Sequence, residues 1–279
     1  MLKLKIKLFR DSLVLPFVKM HGLGNDFVIV EKKDLPANLD VSKLAINISR
    51  PHTGIGADQF IIYEAKGSNV DMFIYNQDGS AAKTCGNASR CLTSLLSKKL
   101  GLTEITLKVQ DRLIPCEAND NIVSVNMGKV SFDAPWMLTE EKRWQVALRY
   151  SLEFKEIICV DIGNPHLIIF SPLSHQDMQI IGEQLQHAEF FKEGVNVNFV
   201  NIKDDKIHLS VWERGTGLTL ACGSGACASF AASRKLGFVG DKAVVVFKLG
   251  ELTIEQVAGD SIMTGPTSFI AEGVFYHDA

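Results

Sequence analysis

Two cysteines, Cys85 and Cys222, stand at equivalent points of a sequence that is written twice. The first lies in Thr84-Cys85-Gly86-Asn87-Ala88 and the second in Ala221-Cys222-Gly223-Ser224-Gly225, each opening a run of small and apolar residues. Upstream, polar residues recur at matching distances. Asn76 and Glu213 each lie nine residues before their cysteine, and Gln59 and Asn196 each lie 26 before. Asn25 lies 60 before Cys85, and Asn164 lies 58 before Cys222. Downstream, Gly101 stops the first helix 16 residues on and Gly237 the second 15 residues on. A repeat of this length sets the fold, because each copy is one α/β unit that packs against the other. If the copies face each other across a pseudo-twofold axis, both helix starts enter one cleft and Cys85 faces Cys222.

The elements follow in order. Glycine-rich loops at 22–24 and 54–56 lead into strands at 27–30 and 60–63. Apolar spacing predicts a helix over 38–50, ended by Pro51. A strand at 71–75 ends in the polar loop Asn76-Gln77-Asp78-Gly79-Ser80. The first cysteine helix is expected over 87–100, with Lys98 and Lys99 suiting its C-terminal dipole. Two or three strands fill 105–125, and Gly128, Pro135 and the charged run 139–143 mark a junction between the units. The second unit reads as strands over 151–161 and 166–170, a helix over 175–190, strands over 195–200 and 206–212, a helix to 236, and strands over 243–275.

Composition mainly excludes. A net charge of −3 leaves no basic footprint for nucleic acid or an anionic membrane. No apolar run approaches the roughly 18 residues of a spanning helix. Met1–Phe9 alternates, with Lys3, Lys5 and Lys7 breaking any signal-peptide core, and reads as a short extension or edge strand. The six cysteines include no Cys-x-x-Cys pair, and no His-x-x-x-His accompanies them, so neither zinc nor a disulfide framework is expected. The expected setting is cytoplasmic, with reduced thiols.

A cysteine at a helix start has a physical reason to ionise, because unpaired N–H groups and the positive dipole end favour the thiolate. Two opposed helix starts also suit a carboxylate, held by the backbone at Gly86-Asn87 and Gly223-Ser224. The carbon beside that carboxylate would lie between two sulfurs. One thiolate could take its proton while the other thiol returned a proton to the opposite face. Such a reaction needs neither a metal nor a cofactor, and no motif for either is visible.

The segments KMHGLGNDF (Lys19–Phe27), GIGADQ (Gly54–Gln59), NQDGS (Asn76–Ser80), TCGN (Thr84–Asn87), GNPH (Gly163–His166), GVNVNF (Gly194–Phe199), ERG (Glu213–Gly215) and ACGSGACA (Ala221–Ala228) resemble the diaminopimelate epimerase family. The resemblance implies interconversion of LL- and meso-diaminopimelate, for lysine and cell-wall precursors. It implies Cys85 and Cys222 as the acid–base pair, with Asn25, Gln59, Asn76, Asn164, Asn196, Glu213 and Arg214 on the substrate. Gly86, Asn87, Gly223 and Ser224 would bind the reacting carboxylate, and His166 and Glu213 would adjust the thiols. The implied fold is α/β, with two pseudo-symmetric domains, each a strongly curved and mostly antiparallel sheet around a central helix. The last strand would return to the first domain, giving domains of residues 1–130 plus 265–279 and 131–264. A homodimer is implied as well. Ala88 stands where the family often has glycine, and Ala271 where an aromatic residue often marks the dimer contact.

Blander readings compete. Cys91, Cys116, Cys159 and Cys227 fit helix or strand interiors as buried apolar residues. Asn25, Asn76 and Asn164 also suit turns, His166 a hydrogen-bonded loop, and Arg214 a surface ion pair. Among functions, a proline-racemase-like enzyme shares the two-cysteine logic, but the many Asn residues and Arg214 fit a longer substrate. A non-catalytic ligand-binding relative would have no use for both cysteines, and a thiol hydrolase would leave the second one idle.

Overall fold

The computed structural model describes residues 13–152 and 157–277; the stretch 1–9, read as an edge strand, lies outside the described residues. Strand β1 (Leu13–Gly22) turns back antiparallel into β2 (Asn25–Glu31). Helix α1 (Val41–Ser49) carries the chain to β3 (Gln59–Lys66), parallel to β2. Strands β4 (Asn69–Asn76) and β5 (Ala81–Ala82) return antiparallel. Helix α2 (Gly86–Leu100) then crosses to β6 (Glu104–Val109), parallel to β4, and β7 (Arg112–Asn119) and β8 (Ile122–Gly128) complete a meander.

After α3 (Glu140–Tyr150) the same order recurs. Strand β9 (Ile157–Asp161) pairs antiparallel with β10 (Pro165–Phe170), and α4 (His175–Gln186) crosses to the parallel β11 (Asn196–Lys203). Antiparallel β12 (Lys206–Glu213) and β13 (Gly217–Thr219) follow. Helix α5 (Gly223–Lys235) crosses to β14 (Lys242–Phe247), parallel to β12, with β15 (Gly250–Val257) and β16 (Asp260–Pro266) as the meander. The repeat extends to strand register. Phe27, two residues after Asn25, pairs with Gln59, and His166, two residues after Asn164, pairs with Asn196. The halves join where β8 runs antiparallel to β16, and β17 (Ser268–His277) returns to pair with β1.

Each half wraps its sheet around its cysteine helix, and α2 is buried continuously from Gly86 to Ser94. Helix α5 is built almost wholly of Gly, Ala, Ser and Cys, so strands can approach from every side, and Phe230 supplies its one large buried side chain. Its inward hydroxyls need partners: Ser229 takes Asn198 Nδ2 at 2.9 Å and Ser233 donates to the Ser229 carbonyl at 2.7 Å. One apolar cluster runs through both halves, from Phe27 and Leu92 to Phe230 and Leu252. The outer faces are covered by α1 on one half and by α3 and α4 on the other.

Three expectations differ from the structure. Residues 140–150 form a helix where the charge run reads as a break. Thr139 caps it by accepting from the Lys142 N–H, and Glu140 and Glu141 sit in its first turn, where the dipole favours acidic groups. The strand placed at 151–161 accordingly starts at Ile157 among the described residues, after Ser151 turns the chain with φ 54°. Helix α4 stops at Gln186 rather than 190, and the Ala188 and Phe191 N–H groups form turns instead.

Helix α4 approaches β12 closely. A Cβ on Gly182 would lie 2.6 Å from Trp212 Cγ, and the indole is pinned by its Nε1 donating to Gln186 at 2.8 Å. Gly182→Ala should therefore destabilise by about 1–3 kcal/mol despite alanine's better helix propensity. A urea midpoint at or above the parent's would refute the close contact.

Candidate active site

Cys85 and Cys222 are the N-cap residues of α2 and α5. Each sulfur accepts from the backbone N–H three residues on, at 3.5 Å from Ala88 and 3.4 Å from Gly225. Only the backbone of Ala88 is used, so the alanine there does not disturb the cap. The six cysteines are all free thiols.

The two helix starts meet. Asn87 Nδ2 donates to the carbonyl of Ala221, the residue before Cys222, at 3.2 Å, and to Asn25 Oδ1 at 3.1 Å. A Cβ on Gly86 would lie 2.7 Å from Met263 Cε, and one on Gly223 3.0 Å from Met263 Sδ. A side chain after either cysteine would require the Met263 thioether to shift.

Burial outweighs the helix-start effect on the thiols. It pushes Cys85 up to about 11, against the Ala88 and Asn87 N–H groups and Arg90, which pull down. Cys222 stands well above the usual thiol range, through burial first and the Glu213 carboxylate second. Glu213 acts on both sulfurs and is itself raised by burial, while the Thr219 hydroxyl donates to its Oε1. One carboxylate thus couples the two cysteines.

The polar residues singled out by the repeat gather around these starts in two sets. In the N-terminal half Asn25 directs Oδ1 toward Cys85 Sγ, 3.8 Å away, while its Nδ2 donates to Asp58 at 2.8 Å. Asp58 and Asp26 exchange backbone-to-carboxylate bonds of 3.1 and 2.8 Å, and Lys19 ties Asp26 at 2.9 Å to the Gly56 carbonyl at 2.6 Å. Gln59 Nε2 donates to Asn76 Oδ1 at 2.9 Å, leaving Gln59 Oε1 buried with no partner among the described residues. In the C-terminal half Asn196 receives the Arg214 N–H at 3.0 Å and donates to the Pro165 carbonyl at 2.8 Å. The Arg214 guanidinium donates to the Glu193 carbonyl at 2.7 Å, rather than to a carboxylate.

His166 is fully buried, and burial pushes it down to about 4, so the ring is neutral at ordinary pH. Its tautomer follows from its partners. Asn198 Nδ2 donates to the Gly225 carbonyl and Ser229 Oγ, so Asn198 Oδ1 must accept from His166 Nδ1–H, at 2.9 Å. His166 Nε2 then accepts from Ser224 Oγ–H at 3.1 Å. That leaves the Ser224 oxygen to accept from Asn164 at 3.3 Å and from the Cys222 thiol at 3.5 Å. His166 therefore reaches Cys222 through one hydroxyl. Sequence reading missed Asn198, although it lies two residues after Asn196 on the same strand face. Asp58, beside Gln59, and Thr219, six residues after Glu213, were missed as well.

Solved structures define the class of fold. A phenazine biosynthesis protein of the PhzF family from Bacillus anthracis aligns with a TM-score of 0.71 at 12% identity, over 94% of this chain and 98% of that one. A hydroxyproline epimerase from Agrobacterium vitis aligns with a TM-score of 0.68 at 14% identity, over 97% of this chain and 93% of that one. These place the chain in a class of two pseudo-symmetric α/β halves. The family model described as diaminopimelate epimerase matches residues 17–132 and 158–270. Relatives named diaminopimelate epimerase from Rickettsia felis and Rickettsia massiliae are 56% and 57% identical over 261 residues, each covering 93% of this chain and 97% of the relative. The chain belongs to the diaminopimelate epimerase family and is an isomerase. No helix among the described residues is long and apolar enough to cross a membrane.

Proposed function

We propose that the protein interconverts LL- and meso-diaminopimelate by two-cysteine proton transfer, in the supply of lysine and cell-wall precursors. The observation carrying this is the meeting of two cysteine-capped helix starts through Asn87 and the Ala221 carbonyl. The reacting carboxylate is held by backbone N–H groups at Gly86-Asn87 and Gly223-Ser224. One thiolate takes the α-proton, and the electron pair left on carbon is stabilised by those donors and the two dipoles. The opposite thiol then returns a proton to the other face and becomes the thiolate, so charge and protons balance and no cofactor takes part. Asn25, Gln59, Asn76, Asn164, Asn196, Glu213 and Arg214 hold the substrate; the unpartnered Gln59 oxygen suits an ammonium group. Glu213, and His166 through Ser224, set the thiol protonation. Incubating LL-diaminopimelate in deuterium oxide should give meso product carrying deuterium at one α-carbon. Unlabelled product, or turnover of proline instead, would sink this reading.

The pH profile follows from the same chemistry. Activity needs one thiolate and one thiol, so kcat/KM should rise as the pair loses its first proton and fall as it loses the second. Burial raises both thiols, so the rise should continue beyond about pH 8.5, the ordinary thiol value. A plateau reached below neutrality would contradict it.

Residues 1–130 with 265–279, and 131–264, are our proposed domains, supported by the element-by-element repeat. A homodimer through β17 is supported by Phe269, Ile270 and Val274, which stay half exposed on that strand. A cytoplasmic setting fits six free thiols.

A further inference from the structure

We propose that Arg90 is a positioning residue of the reaction, the fixed positive charge against which the anions of the cleft, the Cys85 thiolate first, are held. This rests on the two-cysteine reading. Arg90 lies on α2 five residues after Cys85, and among the described residues it is the largest fully buried side chain. Its Nη1 reaches Met263 Sδ at 3.4 Å, a weak acceptor. Nε and Nη2 have no hydrogen-bond partner among the described residues. An arginine cannot shed its charge as a buried lysine can, and arginines are almost never fully buried unless paired.

The surroundings make the charge more anomalous. Met263, on which the guanidinium rests, lies against both Gly86 and Gly223. The cation therefore stands behind two converging helix starts, each already positive. Three sources of positive potential meet there, and the described residues supply no carboxylate to pair with Arg90. The ionisable groups around it are Cys85, which caps α2, Cys91 of α2 and Cys227 of α5, and each supports its charge only as a thiolate, while burial opposes it. Cys91 and Cys227 are sealed from solvent and pushed up to about 12, with Arg112 of β7 also acting on Cys227. Cys85 is the partly exposed thiol of the three, and it also feels the opposing charge of Glu213 from β12. The potential of Arg90 is thus balanced when Cys85 ionises and when a carboxylate lies across the helix starts. Cys222, on the other side, answers mainly to Glu213.

The test compares Arg90→Met, Arg90→Gln and Arg90→Lys with the parent. The probe is iodoacetamide, and the site of alkylation is located by peptide mass analysis. At fixed pH below the thiol's own value, the rate at Cys85 is proportional to the thiolate fraction. The neutral variants should alkylate Cys85 about tenfold more slowly, one unit of acidity, while Arg90→Lys stays near the parent. Parent-like rates in a folded neutral variant would overturn the proposal. So would failure of both neutral variants to fold while Arg90→Lys folds, which would make the charge structural. The two readings fail separately. A parent that does not turn over diaminopimelate sinks the assigned reaction, whereas an active parent with unchanged alkylation in the variants sinks only the role of Arg90.

Discussion

Cys222→Ser and Cys85→Ser should each lower epimerase turnover by about 10²–10⁴-fold, the usual contribution of a positioned acid or base. Serine preserves shape at both sites and is a favoured N-cap, so it can accept from the Ala88 or Gly225 N–H as the sulfur does. Thermal midpoints should move little. Only the acidity changes, because an alcohol does not yield its anion in the range where a thiol does. Each variant keeps one thiol and can still exchange the α-hydrogen on one face. Exchange without inversion should therefore outlast epimerisation in deuterium oxide. Turnover within tenfold of the parent in either variant would mean that the second cysteine is not a proton-transfer group.

Asn198→Ala should be the most damaging change away from the sulfurs. Its side chain takes the His166 Nδ1–H and donates to the Gly225 carbonyl and Ser229. Removing it takes the partner from a buried ring N–H and from the buried Ser229 hydroxyl, a loss of about 2–4 kcal/mol. The alkaline rise of kcat/KM should also move, because His166 could adopt its other tautomer and Ser224 would then have to accept from it rather than donate. A purely structural asparagine would lower the denaturation midpoint and leave the pH profile in place.

The repeat was legible because it is carried by residues that do local work. Gly101 ends α2 in the left-handed conformation at φ 71°, and the cysteines cap helices through backbone N–H groups three positions on. Such signals lie within a few residues of the element they define. The junction was misread for a related reason. The Thr139 cap and the two glutamates after it are a sound helix start, but the polar face of α3 hides the apolar stripe of Val146 and Ala147. Most of the residues proposed for the site lie in loop motifs that the sequence displays, while Arg90, Asn198 and Met263 do not. Arg90 and Met263 come together only because a helix and a strand distant in sequence meet, and no local pattern marks a side chain whose partner is 173 positions away.

The pairing of β17 with β1 has a consequence for how this molecule is made. Strand β1 has β2 as one antiparallel neighbour from the start but finds the other only in β17, from Leu13 opposite His277 to His21 opposite Ser268. A chain still emerging from the ribosome can form the hairpins of its first half but cannot close it, and apolar residues such as Leu15 wait until β17 has been made. Contacts spanning almost the whole sequence also slow the search for the native state. Trimming the C-terminal strand should therefore injure the half that was synthesised first.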